Sequence, residues 1–171
     1  MTIRRLTPAD AAAYRALMLE AYATVPVTFG TSAGEAERYP MSWWEARVAA
    51  GDDSAQLVIG AFDGERLVGA AGLQFEQRVR TRHRCTLFGM YVSPAARGTG
   101  AGRALVMATL DAARARPGLT VIQLSAIEGN DPALKLYESC GFVRWGTEPK
   151  SFALEDGHLT RAHYWRELSA R

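Results

Sequence analysis

The sequence has few cysteines and little net charge. Its two cysteines, Cys85 and Cys140, lie far apart and lack the paired spacing of metal-binding cysteines. We therefore expect no metal site and interpret both as buried free thiols. The net charge of +2 is too small to favour nucleic acid or an anionic membrane as a partner.

Long apolar runs are also missing. No stretch approaches the roughly 20 apolar residues that a membrane-spanning helix needs. The first residues, 1–6, lead into a helix-start pattern rather than into the apolar segment of a signal peptide. These features predict a cytoplasmic protein. The length of 171 residues predicts a single domain that covers residues 1–171.

The sequence does contain an alternation of short β-prone and helical segments. An apolar run over residues 56–62 is followed by Asp63-Gly64, the strongest local hairpin signal in the chain. Later, a strand, a glycine-rich turn, a helix and another strand follow one another, which favours a right-handed crossover with parallel pairing. The pattern predicts an α/β (α+β) fold with a mixed sheet and flanking helices.

The glycine-rich turn reads Arg97-Gly98-Thr99-Gly100-Ala101-Gly102-Arg103. A turn of this kind between a strand and a helix presents free backbone N–H groups to an anion at the helix N-terminus. It lacks the Gly-Lys-Ser/Thr ending of a nucleotide P-loop. It also lacks the sixth-position glycine of a dinucleotide-binding turn. The sequence therefore argues against both nucleotide sites and leaves another phosphate-bearing cofactor.

Two motifs resemble those of the GNAT superfamily of N-acetyltransferases. Residues 87–105 are similar to its acyl-coenzyme-A-binding motif, with the form Arg-x-x-Gly-x-Gly in the turn. Residues 130–142 are similar to the family pattern Asn-x-x-Ala-x-x-Leu-Tyr-x-x-x-Gly-Phe. The resemblance implies acetyl-CoA as co-substrate. It also implies a GNAT-type twisted sheet that is mostly antiparallel and has a splayed central strand pair.

The resemblance implies a set of cofactor-binding residues. Met90, Tyr91 and Val92 would lie along the pantetheine arm, with one of their amides near the thioester oxygen. The pyrophosphate would be bound by N–H groups of the turn, which belong to Gly98, Thr99, Gly100, Ala101, Gly102 and Arg103. The side chain of Arg97 or Arg103 would add a charge-assisted hydrogen bond.

Two further roles come from the second motif. Tyr137 stands where the family often has a tyrosine that protonates the sulfur of coenzyme A. The alternative is a core tyrosine that uses its hydroxyl for one hydrogen bond. Asn130 matches a position that commonly hydrogen-bonds the cofactor arm, and it would equally suit a helix cap.

The general base is left open by the sequence. Many relatives use a glutamate on the strand before the glycine turn or on the strand before that one, but residues 84–92 contain no carboxylate. Glu76, which ends the preceding strand, is the candidate that we expect, and Glu128 is the second. Either would otherwise be a solvated surface charge. His83 lies in an arginine-rich connection and is expected to be solvated.

Acceptor specificity is expected to come from four segments outside the motifs. They are residues 22–40, a helix over 42–50 capped by Ser42, the arginine stretch 78–84 and a loop at 147–157. The four arginines of that stretch, at alternate positions, would form one electropositive face in an extended chain. Otherwise they belong to a solvated hairpin connection.

The expected acceptor is a small-molecule amine, because no acidic groove for a basic protein tail is evident. One alternative is a protein or peptide N-acetyltransferase. Another is a module that binds or senses acyl-CoA without catalysis. A homodimer is suggested by the resemblance alone, since the sequence shows no separate interface signal.

Overall fold

The computed structural model describes residues 1–49, 51 and 54–168. Its strands are β1 (Thr2–Arg5), β2 (Gln56–Asp63), β3 (Arg66–Phe75), β4 (Arg84–Val92), β5 (Val121–Ile127), β6 (Val143–Leu154) and β7 (Gly157–Glu167). Its α-helices are α1 (Ala11–Thr24), α2 (Ala33–Glu37), α3 (Met41–Arg47), α4 (Ala101–Ala115) and α5 (Asp131–Ser139). Short 3-10 turns cover Pro8–Asp10, Pro26–Thr28 and Pro94–Ala96.

The strands form a seven-stranded sheet in the order β1-β2-β3-β4-β5-β7-β6. Neighbouring strands are antiparallel except for β4 and β5, which are parallel. The crossover from β4 to β5 passes through α4, as the strand, turn and helix pattern predicts. This mixed, mostly antiparallel sheet with flanking helices confirms the predicted fold class.

The central strands β4 and β5 separate soon after they begin. Their pairing runs only from Arg84 opposite Val121 to Thr86 opposite Gln123. The remaining parts of the two strands diverge and open a gap at the C-terminal end of β4. The splayed central pair implied by the family resemblance is therefore present.

Apolar cores cover both faces of the sheet. The α4 core contains Leu105 and Leu110 of α4 together with Leu124 of β5. The α1 core contains Tyr14 of α1 and the fully buried Trp44 of α3, whose rings meet edge to face at 5.7 Å. Truncating a large buried side chain of this kind typically costs about 2–5 kcal/mol, so these contacts fix the helices on the sheet.

A β-bulge in β4 lets one strand contribute to both cores. The pairing of β4 with β3 shifts between Ala70 and Gly72, and Gly89 has a φ of 59°, which glycine adopts without strain. Leu87 belongs to the α4 core and Tyr91 to the α1 core. An unbroken strand would place both on one face, because side chains alternate with a period of two.

The start of the first helical segment is held by a small charged cluster. The backbone N–H and hydroxyl of Thr7 both donate to Oδ2 of Asp10, at 2.8 and 3.0 Å. Arg4 donates to both oxygens of the same carboxylate, at 2.7 and 2.8 Å. The hydrogen bond from Arg4 is the main cause that holds the pKa of Asp10 well below its usual range.

One helix start differs from the prediction, and another has the N-cap residue that the sequence allows. The N-cap of α3 is Pro40 rather than Ser42, because the chain is still extended at Pro40 and turns helical directly after it. The helix ends at Arg47, and residue 50 lies outside the described residues. At α5 the N-cap is Asn130, whose side chain makes no capping hydrogen bond.

Two predicted loop segments also differ. Residues 147–157 are not a loop, because β6 continues to Leu154 and a register shift between Glu148 and Phe152 accommodates Pro149. The arginine stretch is not extended, since the N–H of Arg82 donates to the carbonyl of Arg78 at 2.8 Å in a turn. The electropositive-face interpretation is therefore wrong, and the stretch is the connection between β3 and β4.

Candidate active site

The gap between β4 and β5 opens into a cavity of about 610 Å³. Its walls come from β4, from Ser125 and Ala126 of β5, and from the first turns of α4 and α5. The predicted site residues that line it are Met90, Tyr91, Val92, Arg97, Gly98, Gly100, Ala101, Gly102, Arg103, Asn130 and Tyr137. The fold thus brings the two sequence motifs together around one cavity.

The glycine turn has the geometry of an anion site. Gly98 and Gly100 have φ values of 77° and 87°, and a Cβ at either position would meet no atom within 4 Å. The backbone conformation, not crowding, therefore requires glycine there. The hydroxyl of Thr99 donates to the carbonyl of Ala96 at 2.7 Å and holds the turn. Gly100 caps α4, whose first N–H groups have no acceptor within the helix.

Gly102 has a different role from the two glycines before it. A Cβ at this position would lie 3.3 Å from Leu136 of α5 and 3.5 Å from Met90 of β4. The missing side chain lets the first turn of α4 approach both elements closely. Gly102 therefore shapes the cavity by packing.

Two arginines bring positive charge to the turn. The Nε of Arg97 donates to the carbonyl of Val92 at 3.2 Å, and its guanidinium lies 5.9 Å from the ring centre of Tyr91. Arg103 donates to the hydroxyl of Ser139 on α5 at 3.1 Å. Both side chains border the cavity beside the positive end of α4, so the electrostatic field there favours an anion.

Tyr137 lies on the wall of the cavity formed by α5. Its side chain is only 6% exposed, and its ring packs edge to face against Phe142 with the ring centres 6.0 Å apart. Burial raises the pKa of its hydroxyl above the ordinary value. The phenol therefore keeps its proton at neutral pH, as a general acid must before it acts.

A polar contact that the sequence does not reveal joins β4 to α1. The hydroxyl of Tyr91 donates to Oε1 of Glu20 at 3.0 Å and lies 2.9 Å from the hydroxyl of Thr24. Burial is the largest cause of the raised pKa of Tyr91. Because 71 residues separate Glu20 from Tyr91 in the chain, no local pattern could have predicted this contact.

Glu76, the expected general base, lies away from the cavity. Its N–H donates to the carbonyl of Arg84 at 3.2 Å, which places it beside the start of β4. Met90 lies near the other end of that strand, roughly 20 Å away at about 3.3 Å per residue. The carboxylate instead accepts a hydrogen bond from the hydroxyl of Thr81 at 3.2 Å. The structure does not bring Glu76 together with the other predicted site residues.

The other candidate bases are also absent from the cavity wall. Glu128 forms an ion pair with Arg144 of β6. His83 ends the turn before β4, where its carbonyl accepts hydrogen bonds from the N–H groups of Thr120 and Val121.

Among the residues that the structure describes, no three acidic, histidine or cysteine side chains are grouped to hold a metal ion. No helix in the same part of the chain is long and apolar enough to cross a membrane.

The match to known proteins agrees with this geometry. Residues 16–142 match the family model described as the acetyltransferase (GNAT) family. The chain belongs to the GNAT family. The matched range begins within α1 and ends just after α5, so it includes the whole cavity described above.

Relatives of this GNAT protein include proteins with two different acetyltransferase names. An N-alpha-acetyltransferase RimI from Mycobacterium tuberculosis is 35% identical over an alignment of 144 positions, which covers 72% of this chain and 82% of that protein. A mycothiol acetyltransferase from Salinispora tropica is 29% identical over 147 residues, which are 85% of this chain and 45% of that protein. The chain thus spans less than half the length of the mycothiol acetyltransferases that it matches.

The fold is shared with solved structures along nearly the whole chain. The structure of yncA from Salmonella typhimurium with its cofactor acetyl-CoA has a TM-score of 0.81 and 23% sequence identity. The match covers 99% of this chain and 95% of that one. At this identity, the likeness concerns the arrangement of the strands and helices.

Proposed function

We propose that this GNAT protein is an N-acetyltransferase that moves an acetyl group from acetyl-CoA to a primary amine by direct attack. The observation that carries the proposal is the single cavity in the β4–β5 gap. It holds the anion-binding glycine turn at one end and the protonated phenol of Tyr137 in its wall. These two features supply a binding site for the cofactor's phosphates and an acid for the departing sulfur, two of the functions that acyl transfer from coenzyme A requires.

The cavity residues fit acetyl-CoA. The left-handed conformations of Gly98 and Gly100 leave N–H groups and open space at the N-terminus of α4, which suits a pyrophosphate. Arg97 and Arg103 add positive charge beside that position. The edge of β4 that faces the gap can hydrogen-bond the amides of a pantetheine arm, as in strand addition. Acetyl-CoA, when bound, supplies an acetyl group activated as a thioester.

The chain's own residues then act at two points. A main-chain N–H of β4 beyond the bulge, at Met90 or Tyr91, stabilises the negative charge that develops on the carbonyl oxygen. Tyr137 donates its proton to the departing sulfur, and the burial that raises its pKa keeps the proton in place until then. Asn130, at the mouth of the cavity, orients the cofactor arm.

We propose a small-molecule amine as the acceptor. A Cβ built on Gly30 would lie 3.4 Å from the ring of Phe152 in β6, and the Pro26–Thr28 turn contacts β5. The segment after α1 and the β6–β7 hairpin therefore lie close together, which supports an acceptor of limited size. The 35% sequence identity with the RimI N-alpha-acetyltransferase supports a peptide N-terminus as the second candidate acceptor.

The proposal is tested by thiol release. The protein is incubated with acetyl-CoA and a panel containing tyramine, spermidine, L-phenylalanine and the peptide Ala-Arg-Tyr, and free thiol is measured with a chromogenic disulfide. We expect turnover with a small amine at a higher kcat/KM than with the peptide. Binding of coenzyme A by calorimetry without thiol release from any panel member would instead indicate a non-catalytic acyl-CoA module.

The glycine turn is tested by a matched pair of variants. Gly100→Glu places a carboxylate where the pyrophosphate would bind, so we expect coenzyme A binding to be lost. Gly118→Glu is the control, because Gly118 has a φ of 78°, has no atom within 4 Å of an added Cβ and lies outside the cavity. The control should carry the same backbone strain and keep its affinity. Equal affinity in the two variants would contradict the assignment of the anion site.

We also propose that the protein is cytoplasmic and forms a homodimer. The location rests on the sequence features described above, and the dimer rests on the family resemblance. Analytical ultracentrifugation of the purified chain measures the dimer directly, with a monomer at micromolar concentration as the contradicting result.

A further inference from the structure

The amine that attacks a thioester must first lose a proton, and Glu76, Glu128 and His83 do not line the cavity. A base for this step has to lie beside the β4–β5 gap on the face of the sheet where the acceptor enters. The segment after α1 belongs to the cavity, since Val25, Thr28 and Phe29 line it and the Pro26–Thr28 turn contacts β5. The α1 face is therefore taken as the acceptor side in the proposal.

His163 of β7 is placed next to this face of the cavity. It lies directly opposite Ser125 of β5 in the antiparallel register, and Ser125 lines the cavity. Opposed residues project on the same face, with Cβ atoms about 4.5–5.5 Å apart. The chain neighbours of His163, Ala162 and Tyr164, are buried in the α4 core. The imidazole therefore projects from the α1 face, one strand away from the cavity wall.

The imidazole is held by a carboxylate from β6. Its Nε2 lies 2.8 Å from Oε2 of Glu148. That carboxylate also accepts two hydrogen bonds from Arg161, at 2.9 and 3.2 Å. The bond with His163 is the largest cause that lowers the pKa of Glu148, so Glu148 is an anion that only accepts hydrogen bonds. Nε2 consequently carries the hydrogen, and Nδ1 is the nitrogen that can take up a proton.

The other groups around the ring are few. Arg161 is on the same strand and is paired with Glu148, so one cation and one anion adjoin the imidazole. Trp145 of β6 is uncharged, and its ring centre lies 5.5 Å from that of His163. Ser125, the cross-strand partner of His163 on β5, is uncharged as well. The charge beside the imidazole is therefore set by Glu148 and Arg161.

We propose that His163 is the general base of the acetyl transfer and that Glu148 is its positioning residue. The inference rests on the proposed function. A base acts at hydrogen-bond distance or through one water. Since His163 is the cross-strand neighbour of the lining residue Ser125 and does not itself line the cavity, the transfer runs through one water. By holding the ring through Nε2, Glu148 leaves Nδ1 available to accept the proton.

The proton balance closes with these residues. Nδ1 accepts one proton from the acceptor ammonium, and the freed lone pair forms the new N–C bond. As the C–S bond breaks, the sulfur takes the proton of Tyr137, which is restored by the second proton lost from nitrogen. The imidazolium returns its proton to solvent. One ammonium ion and one thioester thus give one amide, one thiol and one proton.

The kinetic test compares two histidine variants. With the panel amine that has the highest kcat/KM, His163→Gln should lower kcat about 100-fold at pH 7. The ratio of wild-type to variant kcat should approach one near pH 10, because an amine that is already deprotonated needs no base. His158→Gln, the same change at an exposed position of β7, should keep the wild-type profile. A loss that does not depend on pH, or no loss, would overturn the assignment.

A second measurement needs neither acetyl-CoA nor an amine. The chain has three histidines, so each imidazole can be assigned in ¹⁵N NMR spectra by single Gln variants. We expect His163 to be the Nε2–H tautomer and Glu148→Gln to change its tautomer populations while His158 stays the same. An Nδ1–H tautomer in the wild-type protein would overturn the proposed orientation.

The two tests also separate this proposal from the proposed function. If none of the panel amines causes the wild-type protein to release thiol, the acetyltransferase proposal fails. The NMR spectra still decide how the ring of His163 is held. If the wild-type protein is active and His163→Gln keeps the wild-type pH dependence, only the assignment of the base fails. For Glu148→Gln we expect a lower kcat with an unchanged KM, since the carboxylate acts through His163.

Discussion

Replacing Tyr137 by phenylalanine should lower kcat strongly and leave folding intact. Within the residues that the structure describes, the hydroxyl of Tyr137 has no hydrogen-bond partner in the protein, while its ring packs against Phe142. Phenylalanine keeps the ring and removes a hydroxyl that has no protein partner, so the free energy of unfolding should not fall. A positioned general acid typically contributes 10²–10⁴-fold to the rate, or about 2.7–5.5 kcal/mol in the barrier. We therefore expect kcat to decrease by a factor of about 10²–10⁴.

Tyr164→Phe is the matched control for this experiment. Its hydroxyl donates to Oε1 of Glu138 at 2.9 Å, and the side chain is buried in the α4 core away from the cavity. Losing that bond should lower the free energy of unfolding by about 1 kcal/mol, with kcat unchanged. Both variants are measured by urea denaturation, by thiol release and by coenzyme A calorimetry. A wild-type kcat for Tyr137→Phe would remove the phenol from the mechanism.

Two further predictions concern stability. In Gly72→Ala the new Cβ would lie 2.5–2.8 Å from ring atoms of Phe88, so we expect urea denaturation to show a free energy of unfolding lower by about 1–3 kcal/mol. The control Gly34→Ala, in an open helical position, should leave the free energy of unfolding unchanged or raise it. Equal effects of the two variants would contradict the packing argument. Asp10→Asn should cost about 1–2 kcal/mol at pH 7. Because folding lowers the pKa of Asp10, this difference should be complete above the unfolded pKa of about 3.9 and should decrease as the pH falls from there towards the lower pKa of the folded protein. A difference that is constant from pH 7 to pH 2 would refute the role of the charge.

The parts of the fold that follow from the sequence are those that local patterns determine. Asp63-Gly64 predicts the hairpin of β2 and β3 because only a few residue types suit the left-handed turn, and Gly64 has a φ of 58°. The glycine turn and the start of α4 follow in the same way from three alternating glycines. The two motifs then predict most of the cavity wall, since each is a continuous stretch of chain.

The parts that could not be predicted depend on how distant segments meet. Glu76 directly follows β3, and β3 runs antiparallel to β4, so Glu76 lies beside the start of β4 and far from the glycine turn. β6 passes through Pro149 by a register shift that only its pairing with β7 reveals. The contact of Glu148 with His163 likewise depends on that pairing. No spacing along the chain encodes these three outcomes.

The early separation of β4 and β5 has a thermodynamic consequence. A ladder that stops at Thr86 and Gln123 leaves the sheet with fewer interstrand bonds at its centre than a fully paired sheet would have. A ligand that fills the gap and bonds to β4 binds only the folded chain. At a hundred times its Kd, such a ligand adds about 2.7 kcal/mol to the free energy of unfolding. The melting temperature and the amide exchange rates of β4 should therefore report the cellular supply of the cofactor.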